Sequence, residues 1–338
     1  MNRPDRLPRQ LRAGSRSSPD GLHRRFRALP LLALCGLLHG FPIDSFAASG
    51  PAHAVSSNSR VLPAPLTVSE KAADPCVAIA ARLPGVSVQE CQASKLANTG
   101  AISRNGLPIR ARRIVASSRE GNKPPVRVLL IGGIHGDELT SSAIVFRWLR
   151  LMNDPAARRF EWSVVPILNP DGMLTHKPTR MNAGGVDLNR NFPTPGWQKE
   201  APFYWVRTTA SDPRRYPGPS PLSEPETRWL NEEIDRFRPQ VIVSVHAPFG
   251  VLDLDGPAPP PTRFGRLMFN RVGVYPGSLG NYSGRHRNIP VITIELPNAV
   301  EMPSEFEVKR IWQDMLGWMA HSVEPAGAVK TVSRRSGL

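Results

Sequence analysis

What the sequence lacks narrows it first. No apolar stretch is long enough to cross a bilayer: the longest, Ala28 to Phe41, falls short of the roughly 20 apolar residues that a spanning helix needs. No self-similar period of about 20 to 50 residues is present, which excludes solenoid and propeller arrays. Three cysteines in 338 residues leave room for one intrachain bridge. Acidic residues are in deficit, 28 Asp and Glu against 43 Lys and Arg. The basic residues are scattered, however, as Arg158-Arg159, Arg214-Arg215, Arg285-His286-Arg287 and Arg334-Arg335, with no recognition helix and no aromatic-interleaved stripe. That disfavours nucleic acid as a partner and fits a polyanionic envelope environment.

The N-terminus accounts for much of the length. His23-Arg24-Arg25-Phe26-Arg27, the apolar run to Phe41 and then Ser45-Phe46-Ala47 read as a secretory signal cleaved after Ala47. Arg24-Arg25 is out of register for a twin-arginine signal, and Leu34 is too large for lipidation at Cys35. An exported, periplasmic or secreted chain is therefore expected, without a lipid anchor. Cys76 and Cys91 then form an even pair flanking a predicted helix at Val77 to Leu83, and in an oxidising compartment they predict one disulfide. The expected organisation is a signal peptide over 1–47, a flexible lead-in and small disulfide-bearing helical segment over 48–97, a catalytic domain over 98–325 and a tail over 326–338. A monomer is expected.

The most informative stretch is His135-Gly136-Asp137-Glu138, where the apolar run Val126 to Ile131 breaks into Gly132-Gly133 and a helical pattern begins at Leu139. A loop histidine and a first-turn carboxylate three residues apart can bend onto one ion, and imidazole with carboxylate suits zinc. H-x-x-E alone is weak. It gains weight because Gln240 to His246 ends an apolar run in histidine and Pro290 to Glu295 ends another in glutamate. Open α/β sheets place ligands at the carboxyl ends of their strands, and three predicted strand ends deliver His, His and Glu. Singly, His246 reads equally well as a core histidine and Glu295 as the partner of an arginine; jointly these readings lose ground.

Between these regions run Asn169-Pro170-Asp171-Gly172, Arg180, and Gly185-Val186-Asp187-Leu188-Asn189-Arg190-Asn191. With H-x-x-E before them and the strand-end His and Glu after, this order resembles the zinc carboxypeptidase family, and within it the murein peptide amidases, over roughly residues 98 to 320. The resemblance implies an α/β fold with a mixed, mostly parallel sheet, helices on both faces and a small helical N-terminal preface. It implies one zinc ion on His135, Glu138 and His246, with Glu295 as general base and acid. Arg180 matches the family's carbonyl-polarising arginine, and Asn189 with Arg190 its grip on the substrate's terminal carboxylate. Asp187 matches the carboxylate that orients the first zinc histidine. The mobile tyrosine of the family matches Tyr275 better than Tyr282, because of the Pro-Gly-Ser that follows it.

The chemistry asks for the same residue types. Amide hydrolysis needs activated water and a carboxylate to take its proton, and the developing oxyanion needs a fixed cation. Arginine is also the side chain that grips a carboxylate with two prongs. Asn105-Gly106 predicts a hairpin over Ala101 to Val115 that supplies an antiparallel sheet edge. Ser223-Glu224-Pro225-Glu226 predicts a helix through Phe237. Pro193 to Pro221 reads as a long loop framing the site, with Trp197, Phe203, Tyr204 and Trp205 either lining a groove or packing on the core. Asp253 and Asp255 stand just beyond His246, and Asp255 reads either as a contact for the ammonium group of diaminopimelate or as the partner of an arginine. The expected function is an exported zinc metallopeptidase that hydrolyses the γ-D-glutamyl-meso-diaminopimelate amide of peptidoglycan-derived peptides. The competing readings are a zinc-dependent N-acyl amino-acid deacylase and a catalytically silent wall-binding module.

Overall fold

The computed structural model describes residues 74–117 and 124–323. The expected signal peptide, Cys35, most of the lead-in and the tail lie outside these residues. Helices α1 (Pro75–Arg82) and α2 (Val88–Ala93) come first, followed by strands β1 (Ala97–Ile102), β2 (Pro108–Ile114) and β3 (Arg127–Ile131). Helix α3 (Leu139–Leu151), strand β4 (Glu161–Val165) and helices α4 (Pro170–Leu174), α5 (Trp197–Thr208) and α6 (Pro225–Phe237) make up the middle. Strands β5 (Val241–His246), β6 (Val251–Asp255), β7 (Arg263–Phe264), β8 (Leu267–Phe269) and β9 (Val291–Glu295) and helix α7 (Glu305–Ser322) close the chain.

Among the described residues nine strands join one mixed sheet in the order β1-β2-β4-β3-β5-β9-β6-β8-β7. Its centre, β4, β3, β5 and β9, is parallel, and antiparallel strands extend it on both sides. The central strands are near-continuous apolar runs because helices cover both faces; every residue of β5 is buried. One face packs α3 and α7 through Trp148, Trp162 and Trp312, whose rings stack 5.4 and 5.6 Å apart. The other packs α6 through Trp229, Leu230, Ile234 and Phe237. The predicted hairpin is present: β1 and β2 pair antiparallel around a turn in which Gly106 takes φ +83°.

The expected disulfide joins Cys76 to Cys91, with Cα atoms 5.5 Å apart. Both sulfurs are buried with Ile79, Leu83 and Val86 in the same apolar cluster as α3. Arg147 of α3 fastens the segment further, donating to the Gly85 carbonyl at 2.7 Å and to Glu90 at 3.1 Å. The expected loop at 193–221 is instead half helix. Helix α5 runs through Pro202, and Trp197 in its first turn is buried, with Nε1 donating to the Arg190 carbonyl at 2.8 Å. Among the described residues no helix is long and apolar enough to cross a membrane.

The topology sets up the site. Strands β3, β5 and β9 run the same way, so their carboxyl ends share one edge, and His246 and Glu295 are direct register partners across β5 and β9.

Candidate active site

His135 leaves the loop after β3, Glu138 stands at the N-cap of α3, and His246 ends β5. All three are buried, and they form a group whose ligand atoms lie within 4.8 Å of one another. Nδ1 of His135 is 2.7 Å from Glu138 Oε1 and 3.2 Å from Nδ1 of His246, which is 3.1 Å from Glu138 Oε2. Donors around a tetrahedral ion with bonds of about 2.0–2.1 Å would stand roughly 3.4 Å apart. Three buried donors at near that spacing, two nitrogens and a carboxylate, fit zinc.

The far side of each histidine is also held. His135 Nε2 faces Asp187 Oδ1 at 3.2 Å, and His246 Nε2 faces the Ser244 hydroxyl at 3.0 Å. Both rings therefore present Nδ1 to the site, and the opposite nitrogen fixes the orientation. Sequence reasoning misses Ser244, although the two-residue period of a strand puts it on the same face as His246. The loop that carries His135 can come this close to α4 only because residue 136 is glycine: a Cβ there would stand 2.2 Å from the Gly172 carbonyl carbon.

Asp187, fully buried, does the most positioning. Oδ1 accepts from the Asn189 backbone N–H at 3.0 Å as well as facing His135, and Oδ2 accepts from Arg180 Nε at 3.0 Å. Burial opposes its ionisation, but Arg180, Arg190 and the His135 contact outweigh it and hold the carboxyl well below its usual range. Glu138 is likewise depressed: burial opposes, and His135 and His246 prevail. Arg180, also buried, extends Nη1 to within 3.4 Å of Glu138 Oε1, which puts a fixed cation against the donor cluster.

Glu295 differs from these carboxylates. Burial, reinforced by Glu138 and opposed by His246, raises its pKa, and Oε2 is buried without a hydrogen-bond partner. A carboxylate kept proton-hungry at the edge of a metal-binding cluster is suited to general-base work.

His135, Glu138, Arg180, His246 and Glu295 line one cavity of about 630 Å³, together with Asn189, Arg190, Asp253, Asp255, Gly280 and Tyr275. Arg190 is buried, its Nε has no partner, and its guanidinium lies 4.5 Å over the Tyr275 ring. Burial lowers its pKa, with Asp187 opposing and the charges of Arg180 and Arg215 adding to the shift. Asn189 Oδ1 accepts from Leu279 N at 2.9 Å, which ties the Asn-Arg pair to the far wall. Of the two candidate tyrosines only Tyr275 lines this cavity, with its hydroxyl donating to the Val272 carbonyl at 2.8 Å. Tyr282 is turned away, its ring stacked 5.9 Å from Phe192 and its hydroxyl bonded to Asn231. Asp255 fits both of its readings: it faces the cavity and lies 3.4 Å from Arg285. Gly280 gives it room, since a Cβ there would meet Oδ2 at 2.1 Å. Of the four aromatics flagged at 197–205, Trp197 anchors Arg190 from behind and Tyr204 packs on Tyr275 with ring centroids 5.7 Å apart. Trp205 donates to the Asp212 carbonyl, and Phe203 is exposed. None of the four lines the cavity.

Comparison with known proteins gives the following. A family model described as zinc carboxypeptidase matches residues 89–251. Murein peptide amidase A of Escherichia coli (strain K12) is 38% identical over 140 residues, 41% of this chain and 53% of that protein. The chain thus spans about half the length of that relative. Murein peptide amidase A of Vibrio campbellii is 34% identical over 179 residues, 51% of this chain and 69% of that protein. Bovine thrombin-activatable fibrinolysis inhibitor, solved with tick carboxypeptidase inhibitor, superposes with a TM-score of 0.50 at 16% identity, covering 67% of this chain and 88% of that one.

Proposed function

Because the chain belongs to the zinc carboxypeptidase family, in its murein peptide amidase branch, we propose that it is an exported metallopeptidase hydrolysing the γ-D-glutamyl-meso-diaminopimelate amide of murein peptides. The observation that carries the chemistry is the convergence of His135, Glu138 and His246 beside a Glu295 oxygen that has no partner of its own. A zinc ion held by those three residues would supply Lewis acidity, lowering the pKa of water from about 15.7 to about 7.

Each protein group then has a task that its surroundings support. Glu295, with its raised pKa, takes the proton of the attacking water and returns it to the leaving amine. Arg180, held by Asp187, stabilises the charge that builds on the carbonyl oxygen; such a donor is worth roughly 3 to 4 kcal/mol of barrier. Arg190 and Asn189 grip the carboxylate on the leaving side, where a buried guanidinium whose Nε has no partner among the described residues attracts an anion. Asp255 faces the distal ammonium of diaminopimelate, and Tyr275 closes over Arg190. The murein branch of the relatives supports the substrate, and the disulfide supports an oxidising compartment.

The test is incubation of the purified chain with L-Ala-γ-D-Glu-meso-diaminopimelate, followed by mass spectrometry. Free diaminopimelate and the dipeptide are expected, and their loss on chelation. An intact tripeptide, with acylated amino acids cleaved instead, would overturn the substrate and favour a deacylase.

A further inference from the structure

The cavity holds more positive charge than the reaction described so far uses. Arg180 is engaged by Asp187 and Glu138, and Arg214 by Asp137 at 2.7 Å. Among the described residues, Arg190 and Arg215 line the cavity without an ion pair, and the charge of one is felt by the other. Arg271 also lacks an ion pair among the described residues, but it is exposed and stands on the Asp253 and Asp255 side. A terminal carboxylate satisfies Arg190; nothing yet satisfies Arg215.

The backbone that carries Arg215 is held in place. Arg215 closes a short 3₁₀ turn, Pro213–Arg215, which Asp212 caps by accepting from Arg214 N at 2.9 Å. On one side Arg214 binds Asp137, between metal-site residues His135 and Glu138. On the other, the Tyr216 carbonyl accepts from the Asp187 backbone N–H at 2.8 Å, and the Tyr216 ring packs on Trp205. The half-buried Arg215 therefore stands on a turn fastened on both sides, next to the residue that binds Asp137 of the donor cluster. A fixed backbone lowers the entropy lost when the side chain binds an anion.

A γ-linked glutamyl residue keeps a free α-carboxylate on the acyl side of the scissile amide, a charge that an acyl residue without an acidic side chain lacks. We propose that Arg215 is a specificity-determining residue that pairs with this α-carboxylate and so selects acyl residues that bear a free carboxylate over neutral ones. The inference rests on the reaction proposed above and adds the acyl-side contact to it.

Two peptides test it: L-Ala-γ-D-Glu-meso-diaminopimelate and its counterpart in which the glutamate α-carboxylate is a carboxamide. The wild-type chain should prefer the carboxylate in kcat/KM by about 10- to 100-fold, the range expected for a charge-assisted hydrogen bond. Arg215→Gln should lose that factor on the carboxylate peptide and leave the carboxamide peptide unchanged, which also shows that the variant is folded. Arg215→Lys should recover part of the preference, keeping the charge without the two-pronged geometry. An equal loss on both peptides, or an unchanged preference, would overturn the assignment. If the wild type cleaves both equally, the reaction stands and only the role of Arg215 falls. If it cleaves neither, the proposed reaction falls and takes this role with it.

Discussion

Asp187→Asn should damage metal binding and stability together, for a reason that can be followed atom by atom. The carboxylate accepts from three donors: His135 Nε2 and Asn189 N at Oδ1, and Arg180 Nε at Oδ2. An amide has one oxygen. With its NH2 at the Oδ1 position it confronts two donors, and at the Oδ2 position it confronts one, so the second orientation costs less. That orientation keeps His135 in place and leaves Arg180 paired only with Glu138, at 3.4 Å. Breaking one partner of a buried ion pair costs about 3–5 kcal/mol. Loss of the negative charge behind His135 also makes Nδ1 a poorer ligand, and changes of this kind cost about 10- to 100-fold in metal affinity. Urea unfolding of the metal-free protein reads the first quantity, and chelator competition for zinc reads the second. Unfolding within about 0.5 kcal/mol of wild type, the range of an inconsequential surface change, together with unaltered zinc affinity, would refute the reasoning.

Ser244→Ala removes the contact behind His246 without touching a charge, and should weaken zinc binding by about 10-fold while the thermal midpoint of the metal-free protein stays within a few degrees of wild type. Replacing Cys76 and Cys91 with alanine should cost up to roughly 3 kcal/mol in the chain-entropy estimate, seen in urea unfolding, with zinc affinity unchanged because the bridge lies in the α1–α2 segment. Glu226 has its pKa raised by burial, with hydrogen bonds from Asn182 and Arg104 N opposing. Its protonated form is favoured by folding, so the stability it adds is complete below the unfolded carboxylate pKa and is lost as pH rises through the raised folded value. The stability difference between wild type and Glu226→Gln, measured by urea unfolding across that window, should therefore shift against wild type as pH rises; a difference independent of pH would contradict it.

How much of this was legible in the sequence depends on whether a residue's role is local. His135, Glu138, His246 and Glu295 could be read because each stands where an apolar run ends, and such runs become adjacent parallel strands whose ends meet. Asn105-Gly106 and the Cys76–Cys91 pair were legible for the same local reasons. Helix α5 was not, because prolines at 193, 195 and 202 read as loop while burial of Trp197 and its bond to Arg190 favour helix. The Pro-Gly-Ser after Tyr275 pointed to it over Tyr282, but the reason Tyr282 faces away, its stacking on Phe192, needed the fold. Arg214 and Arg215 looked like scattered surface charge, since their proximity to Asp137 and Arg190 spans dozens of residues in the chain.

The central claim is that Glu295 does proton transfer beside a metal cluster to which it contributes no ligand. The direct measurement is zinc content by mass spectrometry alongside tripeptide turnover in wild type and Glu295→Gln. One zinc per chain is expected in both proteins, with turnover in the variant lower by about 10²- to 10⁴-fold. A variant that loses zinc along with activity, or that keeps wild-type turnover, would contradict it.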